Sequence, residues 1–191
     1  MKGNFKVAIT LGKSRHTVAP AEQDTDAAFE AAFEEHWSWV CSALYRIVGD
    51  WDEAEDLALE VFWRLYYRPP QDWSGLGSWL YRVATNRGLN ALRARKRRQD
   101  YEKKAGKLRM ERDAPADPAI ETERQVERQQ VRSGLAKMKP RAARILLLRY
   151  LGLSYAEIAS VLEIVPGSVG TLLARAEREF ERHYRALGYV E

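Results

Sequence analysis

A chain of 191 residues, 46% hydrophobic and 30% charged, has the composition of a folded globular protein. No stretch approaches the roughly 20 uninterrupted apolar residues of a membrane span. The opening MKGNFKVAITLGKSRH lacks the apolar core of a signal peptide, so neither membrane insertion nor export is expected. The single cysteine, Cys41, excludes an intramolecular disulfide and suits a reducing cytoplasm. The net charge of +4 conceals a sharper polarity. Phe29 to Glu60 holds nine acids against Arg46, and Arg82 to Arg112 holds twelve bases against three acids. Two opposed blocks of this size point to two surfaces with different partners.

Residues 1–24 mix Gly, Lys, Thr and Pro without period and read as a flexible tail. Asp24, Thr25 and Asp26 offer N-caps for a first helix. Along it Phe33, Trp37, Val40, Cys41, Leu44, Ile47 and Val48 recur on one stripe, and Gly49 ends it. Cys41 lies inside the stripe and reads as a packed thiol rather than a nucleophile. In DWDEAEDLALEVFWRLYYRPP, the residues Ala54, Leu57, Ala58, Val61, Phe62 and Leu65 make a second buried stripe, stopped by Pro69-Pro70. The opposite side carries Asp52, Asp56, Leu59, Glu60 and Trp63. A leucine and a tryptophan among carboxylates suit a merely solvated face poorly. They fit docking onto a basic partner protein, with the apolar contact as anchor and the charges as steering.

A loop, 71–78, with two glycines and Trp73, leads to a third helix from about Ser78 to Arg98. At 100° per residue, Trp79, Arg82, Asn86, Asn90, Arg93 and Arg97 share an arc of about 80°. Leu80, Val83, Ala84 and Ala91 form a separate core face, while Leu89 and Leu92 fit neither arc. A row of aromatic, amide and guanidinium groups suits nucleic acid. Cations bind phosphate, the ring stacks on an unpaired base, and amides read base edges. An ordinary solvated face would need neither the tryptophan nor the two asparagines.

Residues 99–119 are charged and punctuated by Pro and Gly, and read as a linker. A weakly striped helix follows over 120–138, then ARILLLRYL opened by Pro140 and closed by Gly152. Ser154-x-x-Glu157 is a capping box for a short helix with Ile158, Ala159 and Leu162 inward. A three-residue turn leads to a last helix from about Pro166, completing the outline of a helix-turn-helix. On that helix Val169, Leu172, Leu173, Ala176 and Phe180 face the core, and Ser168, Thr171, Arg175 and Arg178 stand together outward. Ser and Thr hydroxyls and the two arginines can hold phosphate. Gly170 lowers helix stability by about 1 kcal/mol relative to Ala, which implies either close approach to DNA or tight packing on a partner helix. The fold class expected is therefore all-α, with two small helical domains, 25–98 and 120–187, joined by the linker.

Catalytic parts are missing. The three histidines have no metal-ligand spacing, and there is no P-loop, no G-x-G-x-x-G and no Cys–His arrangement. Neither an active site, a metal nor a cofactor is expected. An ordinary helix-turn-helix regulator, with 27–98 used for dimerisation or sensing, would explain the second half of the chain. It would not explain the acidic docking helix or the Trp79, Asn86, Asn90 row.

DEAEDLALEVFWRLY, then WLYRVATNRGLNALRARKRR, then LSYAEIASVLEI and GSVGTLLARA, in this order, resemble the bacterial RNA polymerase sigma factors of the extracytoplasmic-function type. The resemblance covers about Ala27 to Leu187. It implies a first domain that holds core polymerase and the melted −10 element, and a second that holds the −35 element. It implies docking of the acidic helix on the β′ coiled coil, contact with the β flap, and partnership with duplex and melted promoter DNA. An anti-sigma protein is a further partner such factors commonly have. Asn86 and Asn90 match the polar positions that capture a flipped −10 base, with loop 71–78 as the lid of its pocket. The chain departs from the pattern at Leu59, where Gln is usual. It departs again in the last helix, where Gly170 and Leu172 replace two cationic positions and Glu177 reverses a third.

Overall fold

The computed structural model describes residues 22–109 and 123–186. Seven α-helices follow in chain order: α1 Glu22–Val48, α2 Trp51–Tyr67, α3 Leu76–Arg109, α4 Glu123–Lys137, α5 Pro140–Tyr150, α6 Tyr155–Leu162 and α7 Val169–Arg185. Short 3-10 turns at Trp73–Gly75 and Pro166–Ser168 lead into α3 and α7. The described residues contain no strand, and none of their helices is by itself long and apolar enough to cross a membrane. The expected tail falls almost wholly outside the described residues. α1 starts at Glu22, so Asp24, Thr25 and Asp26 lie inside its first turns instead of capping it.

Helices α1, α2 and α3 pack through the stripes that their sequences present. Val40, Cys41, Leu44, Ile47 and Val48 of α1 meet Ala54, Ala58, Val61, Phe62 and Leu65 of α2 in the buried core. Gly49 makes the bend between them at φ +79°, its N–H bonding Tyr45 O at 2.7 Å, and Asp50 then caps α2 by accepting from Glu53 N at 2.9 Å. Glycine is required there twice, because a Cβ would also run into the Arg132 guanidinium. After Pro69-Pro70, Asp72 accepts from the backbone N and the hydroxyl of Ser74, at 2.8 and 2.7 Å. That tight turn aims the chain into α3.

α3 is the central rod. Leu80, Val83 and Ala84 are buried as expected, but so are Leu89 and Leu92, and α4, α5 and α6 also pack on this rod. Gly88 backs onto α1, where a Cβ would come within 2.9 Å of Ile47 Cγ2. Thr85, fully buried, returns its hydroxyl to Tyr81 O at 2.7 Å and so leaves no orphan polar group. α3 runs past Arg98 to Arg109, into the stretch read as linker. Apolar periodicity is absent there, and an i,i+4 pair of Lys96 with Asp100 at 2.7 Å supports the helix instead.

The remaining helices form the second unit. Pro140 opens α5, and Lys139 N donates to Glu179 Oε1 of α7 at 2.7 Å, a carboxylate placed at a helix N-terminus. Gly152, at φ +97°, closes α5 with Leu153 N bonded to Leu148 O and Gly152 N to Arg149 O, a Schellman arrangement. The capping box forms as expected: Ser154 N donates to Glu157 Oε2 at 2.7 Å and Glu157 N to Ser154 Oγ at 3.3 Å. α6 ends in a second Schellman arrangement, but its left-handed residue is Glu163, at φ +53°. Val169, Leu173 and Ala176 anchor α7, with Leu172 and Phe180 half-buried beside them. The buried residues of both units belong to one continuous core.

Candidate functional site

Three surfaces carry the residues singled out from the sequence. The first is the outer face of α2. Leu59 is 52% and Trp63 67% exposed, with Asp52, Asp56 and Glu60 also in solvent. Their helix positions put them opposite the buried stripe, and nothing among the described residues covers them. A shallow groove of about 620 Å³ runs beside them, lined by Leu59, Glu60, Trp63, Arg64, Tyr67, Arg68 and Arg87. Trp63 and Tyr67 stand with ring centroids 4.9 Å apart, Tyr66 meets Tyr67 edge-on, and Glu60 pairs with Arg87 at 2.9 Å. The two tyrosines widen the apolar shelf beyond what the sequence pattern indicated. Their signal was an aromatic pair at the end of a helix whose buried positions were already filled.

The second surface is the stripe on α3. Asn90 and Arg97 are exposed, and Trp79, Arg82, Asn86 and Arg93 are half-buried. Trp73, in the turn before the helix, is half-buried against the core, as is Trp79. The cause is that the second unit touches one edge of the stripe. Arg82 Nη1 meets Glu163 Oε1 of the turn after α6 at 2.6 Å. Arg93 Nη2 donates to Met138 O, at the end of α4, at 3.1 Å. Ser78 and Ser160 hydroxyls lie 3.1 Å apart. Burial, with Arg97 nearby, draws the Arg93 guanidinium below its ordinary pKa. Arg144 of α5 is drawn down by burial and then by Arg82, Arg141 and Arg93. The Nε atoms of Arg82 and Arg144 are buried without a hydrogen-bond partner. The junction is thus crowded with cations.

Further contacts, between the units and within the first, ring the end of α1. Arg132 of α4 donates through Nε to Ile47 O at 3.1 Å, and Arg46 donates to Tyr150 O at 3.3 Å while lying 4.8 Å over its ring. Arg95 of α3 donates to Val48 O at 3.3 Å and pairs with Glu53. Cations gathered at a helix C-terminus complement its dipole.

The third surface is the outward side of α7. Thr171, Arg175 and Arg178 are exposed. Ser168, half-buried, donates its hydroxyl to Val165 O at 2.7 Å, so it tightens the turn. A Cβ at Gly170 would lie 3.6 Å from the Tyr155 ring, an ordinary contact. Tight internal packing therefore does not demand glycine at this position.

Among the described residues no group of His, Cys, Asp and Glu could hold a metal ion. The buried Cys41 thiol is pushed up to about 11 by burial and then by Glu55, far from a thiolate nucleophile.

Two family models match the chain in order: sigma-70 region 2 over residues 32–98 and sigma-70 region 4 over 128–180. The chain is similar to the ECF RNA polymerase sigma factor SigG of Mycobacterium tuberculosis, 31% identical over 176 residues. That match covers 80% of this chain, which spans about half the length of SigG, 48%. It is similar also to the ECF RNA polymerase sigma factor SigW of Bacillus subtilis, 29% identical over 181 residues, covering 89% of this chain and 94% of SigW. Among solved structures it resembles CnrH in complex with the cytosolic domain of CnrY. The TM-score is 0.50 at 16% identity, covering 84% of this chain and 90% of the other, a likeness of fold.

Proposed function

The chain belongs to the extracytoplasmic-function sigma factors of the sigma-70 family, and on that premise we propose that it directs core RNA polymerase to a promoter. The observation that carries this reading is the pairing, in one chain, of an uncovered acidic and aromatic face on α2 with a base-reading stripe on α3. The α2 face is the docking surface for core polymerase, the β′ coiled coil foremost, with Leu59 and Trp63 as anchors and Asp52, Asp56 and Glu60 as steering charges. The β flap is the expected contact of the second unit. Trp73 and Trp79 offer stacking surfaces, Asn86 and Asn90 offer amides to a flipped −10 base, and Arg82, Arg93 and Arg97 follow its backbone. On the −35 duplex, Thr171, Arg175 and Arg178 hold phosphates, Arg175 reaches the base edges, and Ser168 fixes the turn that aims α7. Polymerisation itself belongs to the partner, and the chain works where core polymerase and DNA are, in the cytoplasm. An anti-sigma protein is a fitting regulator. A plain helix-turn-helix regulator would leave the α2 face without a purpose.

Reconstitution with core polymerase tests the proposal directly. The complex should initiate at one start site and protect DNA around both its −10 and −35 positions. Trp63→Glu should weaken capture of core polymerase by about 2 kcal/mol, roughly thirtyfold. Equal capture by the variant would sink the α2 assignment.

A further inference from the structure

Charge is distributed unevenly along α2. Its acids, Asp52, Glu53, Glu55, Asp56 and Glu60, all precede Trp63, and its bases, Arg64 and the C-cap Arg68, follow it. The exposed side of the helix consists of two neighbouring i,i+4 ridges. One is apolar: Leu59, Trp63 and Tyr67, all open to solvent, with Tyr67 61% exposed. The other is charged: Asp56, Glu60, Arg64 and Arg68 are all exposed, and the sign changes midway. Steering toward a basic partner uses the acids and leaves Arg64 and Arg68, which line the same groove, without a role.

We infer that this face also takes a second copy of the chain: two α2 helices pack antiparallel about a two-fold axis at Trp63 and hide the polymerase-docking face of both copies. The pairing follows from the face itself, whereas the hiding rests on the docking role assigned to α2 above. A parallel pair would set acid on acid and base on base. An antiparallel pair brings the two Trp63 rings together and lays Leu59 of each copy along Tyr67 of the other. It sets Glu60 opposite Arg64 and Asp56 opposite Arg68, each contact occurring twice because a two-fold interface repeats itself. Opposed helix dipoles favour the same orientation. Trp, Tyr and Arg are the residue types that anchor interfaces of this kind. Glu60 already pairs with Arg87 at 2.9 Å, and its carboxylate has capacity for a second guanidinium. The groove of about 620 Å³ beside Trp63 leaves room for the opposing rings. The contact spans roughly three helical turns. That is less than a standard interface, so the dimer is weak and depends on concentration.

Sedimentation equilibrium of the full chain should show monomer and dimer in exchange, with a Kd of roughly 10 µM. A chain that stays monomeric at about 100 µM would overturn the inference. Glu60→Arg sets arginine on arginine at both contacts, and Arg64→Glu sets carboxylate on carboxylate. Each variant alone should dimerise roughly tenfold more weakly or worse. Mixed in equal amounts, the two form a heterodimer in which both contacts are again opposite in sign. Association should then return to near the unmodified level. Trp63→Ala, which truncates an exposed ring at the axis, should weaken the dimer by a similar factor. Circular dichroism accompanies every variant, and Trp63→Ala carries the test if a charge variant does not fold. Single variants that dimerise as tightly as the unmodified chain, or a mixture that stays monomeric, would overturn the antiparallel pairing. Core polymerase added to fluorescently labelled dimer should release one copy for each copy it captures. A dimer carried intact onto polymerase would overturn the hiding of the face. Polymerase that captures no chain at any concentration would remove the docking role and the hiding with it, while sedimentation decides the dimer alone.

Discussion

The two surfaces assigned to DNA are built on opposite terms. The α3 stripe has a tryptophan, two asparagines and three arginines, yet four of the six are half-buried, and Arg82 and Arg93 are held by the second unit. The outer side of α7 is open to solvent, yet offers only Thr171, Arg175 and Arg178 beside a glycine. The difference teaches that recognition power and access are distributed separately here.

The largest test of that contrast is on α3. Trp79→Ala should cost about 1–3 kcal/mol of strand binding, the usual worth of one lost base stack. Asn86→Ala should impair opening as well, both read as unstacked promoter bases, with capture of core polymerase unchanged. Since Trp79 also packs on the core, thermal melting must accompany the binding measurement. Normal promoter opening in both variants would remove the asymmetry between the surfaces. On α7, Arg175→Ala should weaken duplex binding by about 1–3 kcal/mol with relaxed sequence preference if the side chain reads a base. A uniform loss, with a salt slope lower by about one, would make α7 a phosphate clamp only.

Gly170→Ala is a smaller and sharper change. The new Cβ meets only the Tyr155 ring, at 3.6 Å, so the free protein should gain up to about 1 kcal/mol. If the duplex approaches the α7 backbone, affinity should fall while the melting temperature rises. Unchanged affinity would show that the duplex does not come so close. The smallest effect under ordinary conditions concerns the packing beneath the α3 stripe. Burial first, then Glu157, raises the Tyr81 hydroxyl from 10.0 to about 12. The unfolded chain releases that proton near pH 10 and the folded chain holds it to about 12. Its contribution is therefore complete below pH 10 and fades between those values, by at most about 1.4 kcal/mol per pH unit. Tyr81→Phe should flatten the alkaline loss of stability in that window. An unaltered pH profile would show that the hydroxyl is not held in this way.

Much of the fold was legible because local physics wrote it. Repeating apolar stripes gave α1 and α2, Gly49 and Pro69 gave their ends, and Ser154 with Glu157 announced α6. The outward set on α7 and the uncovered Leu59 and Trp63 were legible for the same reason: each depends on one helix alone. The junction was not. Arg82 meets Glu163 at a separation of 81 residues along the chain, a contact for which no periodicity exists. One sign was present all the same. Leu89 and Leu92 fitted neither face of the third helix, and two leucines off the core stripe are what a rod packed from a second direction presents. The extension of α3 to Arg109 escaped because that stretch carries no apolar pattern, while the i,i+4 pair of Lys96 with Asp100 supports the helix as it enters it.

The acceptors at the junction have a consequence for how the protein can vary. Arg132 is held by Ile47 O, Arg46 by Tyr150 O and Arg93 by Met138 O. A main-chain oxygen survives replacement of its own side chain and does not titrate. Substitution at 47, 138 or 150 therefore leaves each acceptor in place, provided the helices keep their course. Only the arginine side of these contacts is exposed to mutational drift, whereas the Arg82 contact, through Glu163, and the Ser78–Ser160 hydroxyl pair can be reset from either end.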